Sequence, residues 1–465
     1  MMRYFSTRGQ APDIGFREAV LAGLAPDGGL YMPASWPQIA AADRAAFAQA
    51  TFPEVAASVL SAFAGPEISK AELLILAQRA YAPFDTPEIA PVVDLGGDDL
   101  LMELFHGPTL AFKDVAMRML AQLYGWALDS ATRGKTIIGA TSGDTGGAAI
   151  HAFAGSESAE VFMLHPRGRI SDVQRRMMTT VQAANIVNIA VDGTFDDCQG
   201  IVKALFADAS LKAHLDLGGV NSINWVRLAA QAVYYFTAAA RFECPVSFVA
   251  PTGNFGDIFA GYAAKKMGAP VARLGVAVNT NDIMRRAIAT GVYEPSKAFP
   301  TSSPSMDIQV ASNFERLLFE AVGRGAGDLR GLMQDLEDGG RMVLSGDVRR
   351  FIAADFCAER ASEDEVAAKI REVLKSAGML IDPHTAVGLV ALDKLRTSGE
   401  VKGPAVSLAT AHPAKFPDAV EAASGVRPAL PARFAGLFAQ DERMINAPAR
   451  IDDIRTIILE QSLFV

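Results

Sequence analysis

From residue 135 onward the chain alternates short apolar runs with longer stretches in which apolar positions recur every three or four residues. The runs at 135–140, 160–164, 186–191, 246–250 and 271–276 are rich in Ile, Val, Phe and Leu and barely alternate in polarity. Such runs predict parallel strands buried on both faces. The stretches near 171–183, 195–209, 226–242 and 258–267 predict the helices that cover them. Residues 405–409 read as one more buried strand, and 313–322 as a helix. A further helix is predicted over 363–375, with Val366, Ile370, Val373 and Leu374 on one face, and a surface helix over 452–463. The class is α/β, in which ligands are expected beyond the carboxyl ends of the strands.

The first 90 residues follow another pattern. A short strand and turn at 25–33 precede Ala-rich helical stretches at 44–49, 54–64 and 69–81. The last of these opens with Ser69 and Glu72 at the spacing of a capping box. This leading region reads as mostly helical, and Pro83, Pro87 and Pro91 punctuate its exit. No internal repeat and no long low-complexity tract follows.

Composition narrows the function classes. With 465 residues, half of them hydrophobic and a fifth charged, the chain can build a large core and two or three domains. A formal charge of -9 argues against nucleic acid as a partner, because phosphate backbones attract basic surfaces. No stretch of eighteen uncharged apolar residues and no apolar leader occurs, so neither a membrane span nor a secretory signal is expected. Cys198, Cys244 and Cys357 are too widely spaced for a disulfide framework or a zinc site. They read as fillers in a reducing compartment, which makes the cytoplasm the expected location.

Chemistry concentrates at 106–114, His-Gly-Pro-Thr-Leu-Ala-Phe-Lys-Asp. Gly107-Pro108 is turn chemistry, Thr109 reads as a local cap, and Ala116, Met117, Leu120, Ala121 and Tyr124 then recur at helical spacing. Lys113 therefore sits at a helix N-terminus, where the dipole disfavours a cation. That placement suits an amine held partly neutral so that it can form a Schiff base. A solvated lysine paired with Asp114 is the plainer alternative.

Three post-strand loops bear on the choice. Thr141, Ser142, Gly143, Asp144, Thr145 and Gly146 lie between a predicted strand and a helix, and small residues there let backbone amides approach a carboxylate or phosphate. Gly253, Asn254, Phe255, Gly256 and Asp257 repeat the device after the run at 246–250. Thr410 and His412 follow the run at 405–409, with Thr410 placed to offer a hydroxyl to a ring nitrogen. Neither glycine loop matches Gly-x-Gly-x-x-Gly. The ending Gly134-Lys135-Thr136 after Arg133 only imitates a P-loop, since Asp129 stands where its first glycine belongs. A Schiff-base lysine, an amide-lined phosphate cup and a hydroxyl for a heteroaromatic nitrogen are together the handles a protein uses on pyridoxal 5'-phosphate.

These motifs, with Tyr4 to Gly9, Asp27 to Tyr31 and Thr410 to Phe416, resemble in order and wording those of the threonine synthases, a family of fold type II pyridoxal phosphate enzymes. The resemblance implies two open, mostly parallel sheets covered by helices, with a mostly helical N-terminal domain at 1–90 and a catalytic region at 91–465. Roughly 115–210 would form an inserted smaller α/β domain. It implies Lys113 as the cofactor lysine and proton shuttle, 253–257 as the phosphate loop and Thr410 as the hydroxyl near the pyridine nitrogen. It assigns Thr141 to Gly146 to the substrate carboxylate.

The implied reaction takes O-phospho-L-homoserine and water to L-threonine and phosphate, by γ-elimination and β-addition of water. Arg169, Arg175, Arg176 and Arg227 are candidates for the leaving phosphate, Arg227 being the one carried forward. His106 and His412 lie within the motifs and are expected to line the site, whereas His151, His165, His214 and His384 read as structural or exposed. Small-molecule substrate, no nucleic acid, no membrane, no metal, and a monomer or homodimer complete the expectation. A phospholyase acting on another phosphorylated amino alcohol is the alternative within the enzyme class. A catalytically silent, cofactor-binding regulatory relative is the alternative outside it.

Overall fold

The computed structural model describes residues 2–128 and 134–464. Asp129 and Arg133, with the P-loop-like spacing they belong to, lie outside the described residues. Two sheets organise the chain. The larger has the strand order Phe356–Arg360, Val271–Val278, Val246–Pro251, Ala405–Ala409, Asp99–Glu103 and Val92–Gly96, all parallel except the last, which turns back on its neighbour as a hairpin. The smaller has the order Ile445–Pro448, Ile186–Asp192, Ala159–Pro166, Lys135–Ala140 and Asp216–Gly218, parallel throughout.

The strands form where the apolar runs are, and for the expected reason. Every residue of Ala159–Pro166, Val246–Pro251 and Ala405–Ala409 is buried, so each strand has helices on both faces and no solvent side to alternate toward. Register then aligns the loops. Ser407 pairs with Val249, so the chain leaves the larger sheet at Thr252 and Thr410 side by side. At the same end of the smaller sheet it leaves at Thr141.

In the leading region Tyr4–Ser6 pairs antiparallel with Tyr31–Pro33, and the helices Phe52–Ala64 and Lys70–Tyr81 follow. Ser69 caps the second of these through the Glu72 N–H, as its sequence spacing predicts. The two helices share one continuous apolar core with Lys113–Leu128 and Trp225–Ala239. Tyr4 donates its hydroxyl to the Phe63 carbonyl at 2.9 Å, and the Phe63 ring meets Trp225 edge-on at 5.4 Å.

Several elements differ from expectation. The helix predicted at 44–49 spans Ala41–Ala46, and that at 171–183 ends at Thr179. The stretch 195–209 breaks at Asp208, whose carboxylate caps a second helix, Ala209–His214. Strands Asp99–Glu103, Asp216–Gly218, Phe356–Arg360 and Ile445–Pro448 come from sequence with no strand signature, because neighbouring strands hold them in place. Among the described residues no helix is long and apolar enough to cross a membrane, and no group of His, Cys, Asp and Glu could hold a metal ion.

Phe63 is fully buried at the junction of the leading region and the main core. Phe63→Ala is expected to cost about 3–5 kcal/mol, read as a lowered denaturant midpoint, with Phe63→Leu intermediate.

Candidate active site

Lys113 is the first residue of the helix Lys113–Leu128, and residues 110–112 lie against 410–412. The Phe112 N–H donates to the Thr410 carbonyl at 2.9 Å and the His412 N–H to the Leu110 carbonyl at 3.0 Å. This bridge brings the lysine beside Thr410. Leu110 adopts a left-handed φ of 57°, a conformation that costs a branched side chain on the order of 1–2 kcal/mol. Its packing with Val173, Met177 and Leu437 holds it there.

Asp114 folds back over Gly107, where a Cβ would lie 2.5 Å from it, so only glycine fits. Its carboxylate accepts from the Thr109 N–H and hydroxyl, both at 2.7 Å. Thr109 is therefore a donor to Asp114 and no acceptor cap for the helix, and Asp114, fully buried, is not a solvated partner of Lys113.

The amine of Lys113 finds Asp144 instead, at 3.2 Å from Oδ2, and lies 4.5 Å from the centre of the Phe112 ring. Burial lowers its pKa. Asp144 opposes that, while the cations Lys415 and Arg227 depress it further. Asp144 begins the helix Asp144–Phe153 and is itself buried. Its Oδ1 takes Lys415 at 2.7 Å and the Gln174 amide at 2.9 Å, and its Oδ2 takes the Ser305 hydroxyl at 3.1 Å. Burial alone would raise this carboxyl, but Lys415 and Lys113 hold it well below the usual carboxylate range.

The loop at 141–146 is braced from within. Thr141 Oγ1 accepts from the N–H groups of Gly143 and Gly146 at 3.0 and 2.9 Å, so two of its amides are spent on the turn. Asp144 and Thr145 line the cleft, while Thr141, Ser142 and Gly143 are not among its described lining residues.

On the opposite wall the strand Val246–Pro251 runs through Thr252–Phe255 into the helix Gly256–Lys266. Phe255 stands at the helix start with a left-handed φ of 63° and supplies no side-chain cap. The first amides of that helix therefore face outward without an intrahelical partner. Gly253 has no room for a side chain, since a Cβ would lie 2.8 Å from the Ser305 carbonyl. Asn313 fixes the loop, donating its N–H and its amide to the Asn254 carbonyl at 3.1 Å each.

The Asp257 carboxyl turns away from the opening, toward the hydroxyls of Tyr234 and Tyr235, and its Oδ2 has no partner. Burial raises its pKa to about 6 against those two hydrogen bonds. Asp257 thus presents its backbone to the cup.

Arg227 completes the wall. It is buried, and its Nε and Nη1 have no hydrogen-bond partner, with burial pulling its pKa down to about 10. An unpartnered buried guanidinium in a cleft is a receptor waiting for an anion. The cleft encloses about 740 Å³ including its open mouth, and Lys113, Arg227, Gly253 to Asp257 and Thr410 all line it.

The other candidates fall elsewhere. Arg175 pairs with Glu442 and Asp172, Arg176 binds Glu442 and the Gln440 carbonyl, and Arg169 is exposed. His106 bridges Asp85 and Glu103 at 2.9 and 2.8 Å. With His412, which burial lowers to about 4, it lines a second cavity behind the Lys113 loop and not the cleft. His384, expected to be structural or exposed, is buried in the cleft wall. Lys415, Ser305 and Gln231 are cleft or near-cleft residues that pattern reading passed over. The signal for His384 was Asp382-Pro383, the cap and first-turn proline of a helix start.

Models of protein families match the chain in three parts. The N terminus of threonine synthase matches residues 3–81, the pyridoxal-phosphate dependent enzymes match 94–411, and the C-terminal part of threonine synthase matches 385–458. Threonine synthase from Pseudomonas aeruginosa is 44% identical over 463 residues, covering 98% of both chains. The chain belongs to the threonine synthase family. Among solved structures, pyridoxal phosphate-bound threonine synthase from Brucella melitensis superposes with a TM-score of 0.97 at 47% identity, covering 100% of each chain. Yeast threonine synthase follows at 0.93 and 38%, covering 99% of this chain and 98% of that one.

The cleft fits the cofactor of this family. A buried amine of lowered basicity, a cup of helix-start amides and an unpartnered guanidinium match an aldehyde carrying a phosphate.

The raised Asp257 carboxyl gives a pH signature. A neutral buried acid contributes stability below the ordinary carboxylate range, and that contribution is lost as pH rises through about 6. In Asp257→Asn the loss disappears. Its stability relative to the native chain should improve by about 2 kcal/mol from pH 4.5 to 8, read from denaturant midpoints of cofactor-free protein.

Proposed function

We propose that this chain converts O-phospho-L-homoserine and water to L-threonine and phosphate, with Lys113 as the lysine bonded to pyridoxal phosphate. The supporting observation is the amine itself: mostly enclosed, shared with one carboxylate, and lowered in basicity by desolvation and by two further cations at the mouth of an amide-lined cup. The cofactor supplies, when bound, an electron sink for the charge left at the substrate α-carbon.

The chain's own groups do the rest. The amides opening the helix Gly256–Lys266, with Gly253, Asn254 and Phe255, would hold the cofactor phosphate, and Thr410 would offer its hydroxyl to the ring nitrogen. Lys113 Nζ would take and return protons at the substrate Cα and Cβ. Burial lowers the pKa of the amine from the ordinary lysine value, which eases the loss of its proton. Asp144, held ionised by Lys415, steadies the protonated amine.

Thr145 serves the substrate carboxylate through its amide and hydroxyl, with Ser142 beside it, while Thr141 and Gly143 brace the loop from within. Asp144 contributes its backbone there, because its carboxylate is committed to the lysines. Arg227 receives the phosphate that leaves Cγ. The three cysteines are unpaired, which supports a reducing, cytoplasmic setting.

Incubation of purified protein with phosphohomoserine should release threonine and phosphate in equal amounts. Lys113→Ala should abolish both, and borohydride should label residue 113 in the native chain alone. Phosphate with a keto product and no threonine would assign a lyase instead. Arg227→Leu is expected to raise the KM for phosphohomoserine about tenfold or more while the cofactor absorbance is kept. Loss of cofactor with KM unchanged would move Arg227 to the cofactor's own phosphate.

A further inference from the structure

His384 stands in the cleft wall without a part in the chemistry above. The helix Pro383–Thr397 starts at Asp382, whose carboxylate accepts from the N–H groups of His384 and Thr385 at 3.0 Å each. Asp382 is fully buried, and its Oδ2 also lies 2.6 Å from His384 Nδ1. An ionised carboxylate only accepts, so the ring proton sits on Nδ1 and Nε2 is left as an acceptor. The Phe416 ring, 4.8 Å away, limits rotation of the imidazole.

Nε2 accepts from the backbone N–H of Ser305 at 3.3 Å. Ser305 then reaches two other parts of the site. Its carbonyl closes over Gly253, and its hydroxyl donates to Asp144 Oδ2 at 3.1 Å, the same oxygen that lies 3.2 Å from the Lys113 amine. A line of contacts therefore runs from Asp382 through His384 and Ser305 to the carboxylate of the catalytic lysine.

We propose that His384 is a positioning residue for the reaction. Held by Asp382, it fixes Ser305 so that the serine hydroxyl shares Asp144 with Lys113 and thereby sets how readily the lysine amine gives up its proton. An oxygen that already accepts from a hydroxyl stabilises a neighbouring ammonium less than one that does not. Without the serine contact Asp144 holds the ammonium more firmly and the amine titrates higher. The other charged groups facing Lys113 are Lys415 from the 413–415 turn, Arg227 from Trp225–Ala239 and Asp257 from Gly256–Lys266, and none of them is touched by the variants below.

The catalytic meaning rests on Lys113 being the cofactor lysine, but its amine can be titrated in the full chain after cofactor removal. Labelling with trinitrobenzenesulfonate from pH 6 to 11, with the label mapped to residue 113, gives the midpoint directly. Ser305→Ala and His384→Leu are each expected to raise that midpoint by about half a unit or more. His384→Gln, whose amide oxygen can still accept from Ser305, should stay near the native value. The double variant Ser305→Ala/His384→Leu should shift no further than Ser305→Ala alone. If His384→Leu does not fold, Asp382→Asn replaces it, since an amide donor at Nδ1 moves the ring proton to Nε2 and breaks the Ser305 contact.

In the loaded enzyme Ser305→Ala and His384→Leu should lower kcat about threefold or more with KM within about twofold. A native midpoint in both His384→Leu and Asp382→Asn, or shifts that add in the double variant, would overturn the proposal. Shifted midpoints in a protein that makes no threonine would leave the line of contacts standing and fault the assigned reaction instead.

Discussion

One carboxylate shared by two buried amines is the constraint on which the cleft depends. Asp144 holds Lys113 on one oxygen and Lys415 on the other, with Arg227 unpartnered in the same cleft. Three cations face one committed anion and one carboxyl, Asp257, that burial pushes toward neutrality. A buried charge left without a partner costs several kcal/mol, so this arrangement spends stability that packing elsewhere must supply. The excess positive charge is intelligible only when a dianionic phosphate completes it. Lys415 is the hinge of this balance: of the groups that hold Asp144 ionised it contributes most, with Lys113 and the Gln174 amide beside it.

The architecture delivers these groups by register. Parallel strands buried on both faces align their carboxyl ends, and the loops after Ala140, Pro251 and Ala409 emerge toward one opening. The antiparallel bridge between 110–112 and 410–412 then sets the lysine against the end of the central strand. Strain is concentrated where the chain turns into the site. Leu110 and Phe255 both have left-handed backbones, each at the residue that aims a helix start into the cleft. Neither could relax without moving an amine or an amide that the site needs.

Much of this was legible in the sequence, and the losses have physical causes. The strands at 135–140, 246–250 and 405–409 announced themselves because full burial removes polarity alternation. The three loops followed from the rule that chemistry lies past strand ends. Asp99–Glu103 and Phe356–Arg360 were illegible because a strand held between or beside pre-formed neighbours needs no pattern of its own. Thr109 misled because a hydroxyl beside a helix start reads as a cap, and only the fold reveals Asp114 turning back to accept its hydrogen bond. His106 and His412 misled for a related reason: proximity in a motif fixes the backbone and not where each side chain points, and both imidazoles line the second cavity. Lys415 and His384 sat in view without a role, since pairing across about 270 and 80 residues respectively, with Asp144 and Ser305, has no local trace.

Asp144 and Asp257 show how the same residue type, each in the first turn of a helix at the cleft, is put to opposite uses. Helix position favours a charged carboxylate in both cases. Asp144 meets ammonium groups, which outweigh burial and keep it ionised. Asp257 meets phenols, whose hydrogen bonds do not outweigh burial, and one of its oxygens has no partner at all. A phosphate resting on the amides just ahead of it would add negative potential and raise its pKa further, so Asp257 would bind a proton as the anion arrives. A protonated Asp257 no longer repels that anion, whereas an aspartate paired with lysine could not yield in this way. The cup can therefore carry a carboxyl in its first turn because tyrosine hydroxyls, and not paired cations, hold its oxygens.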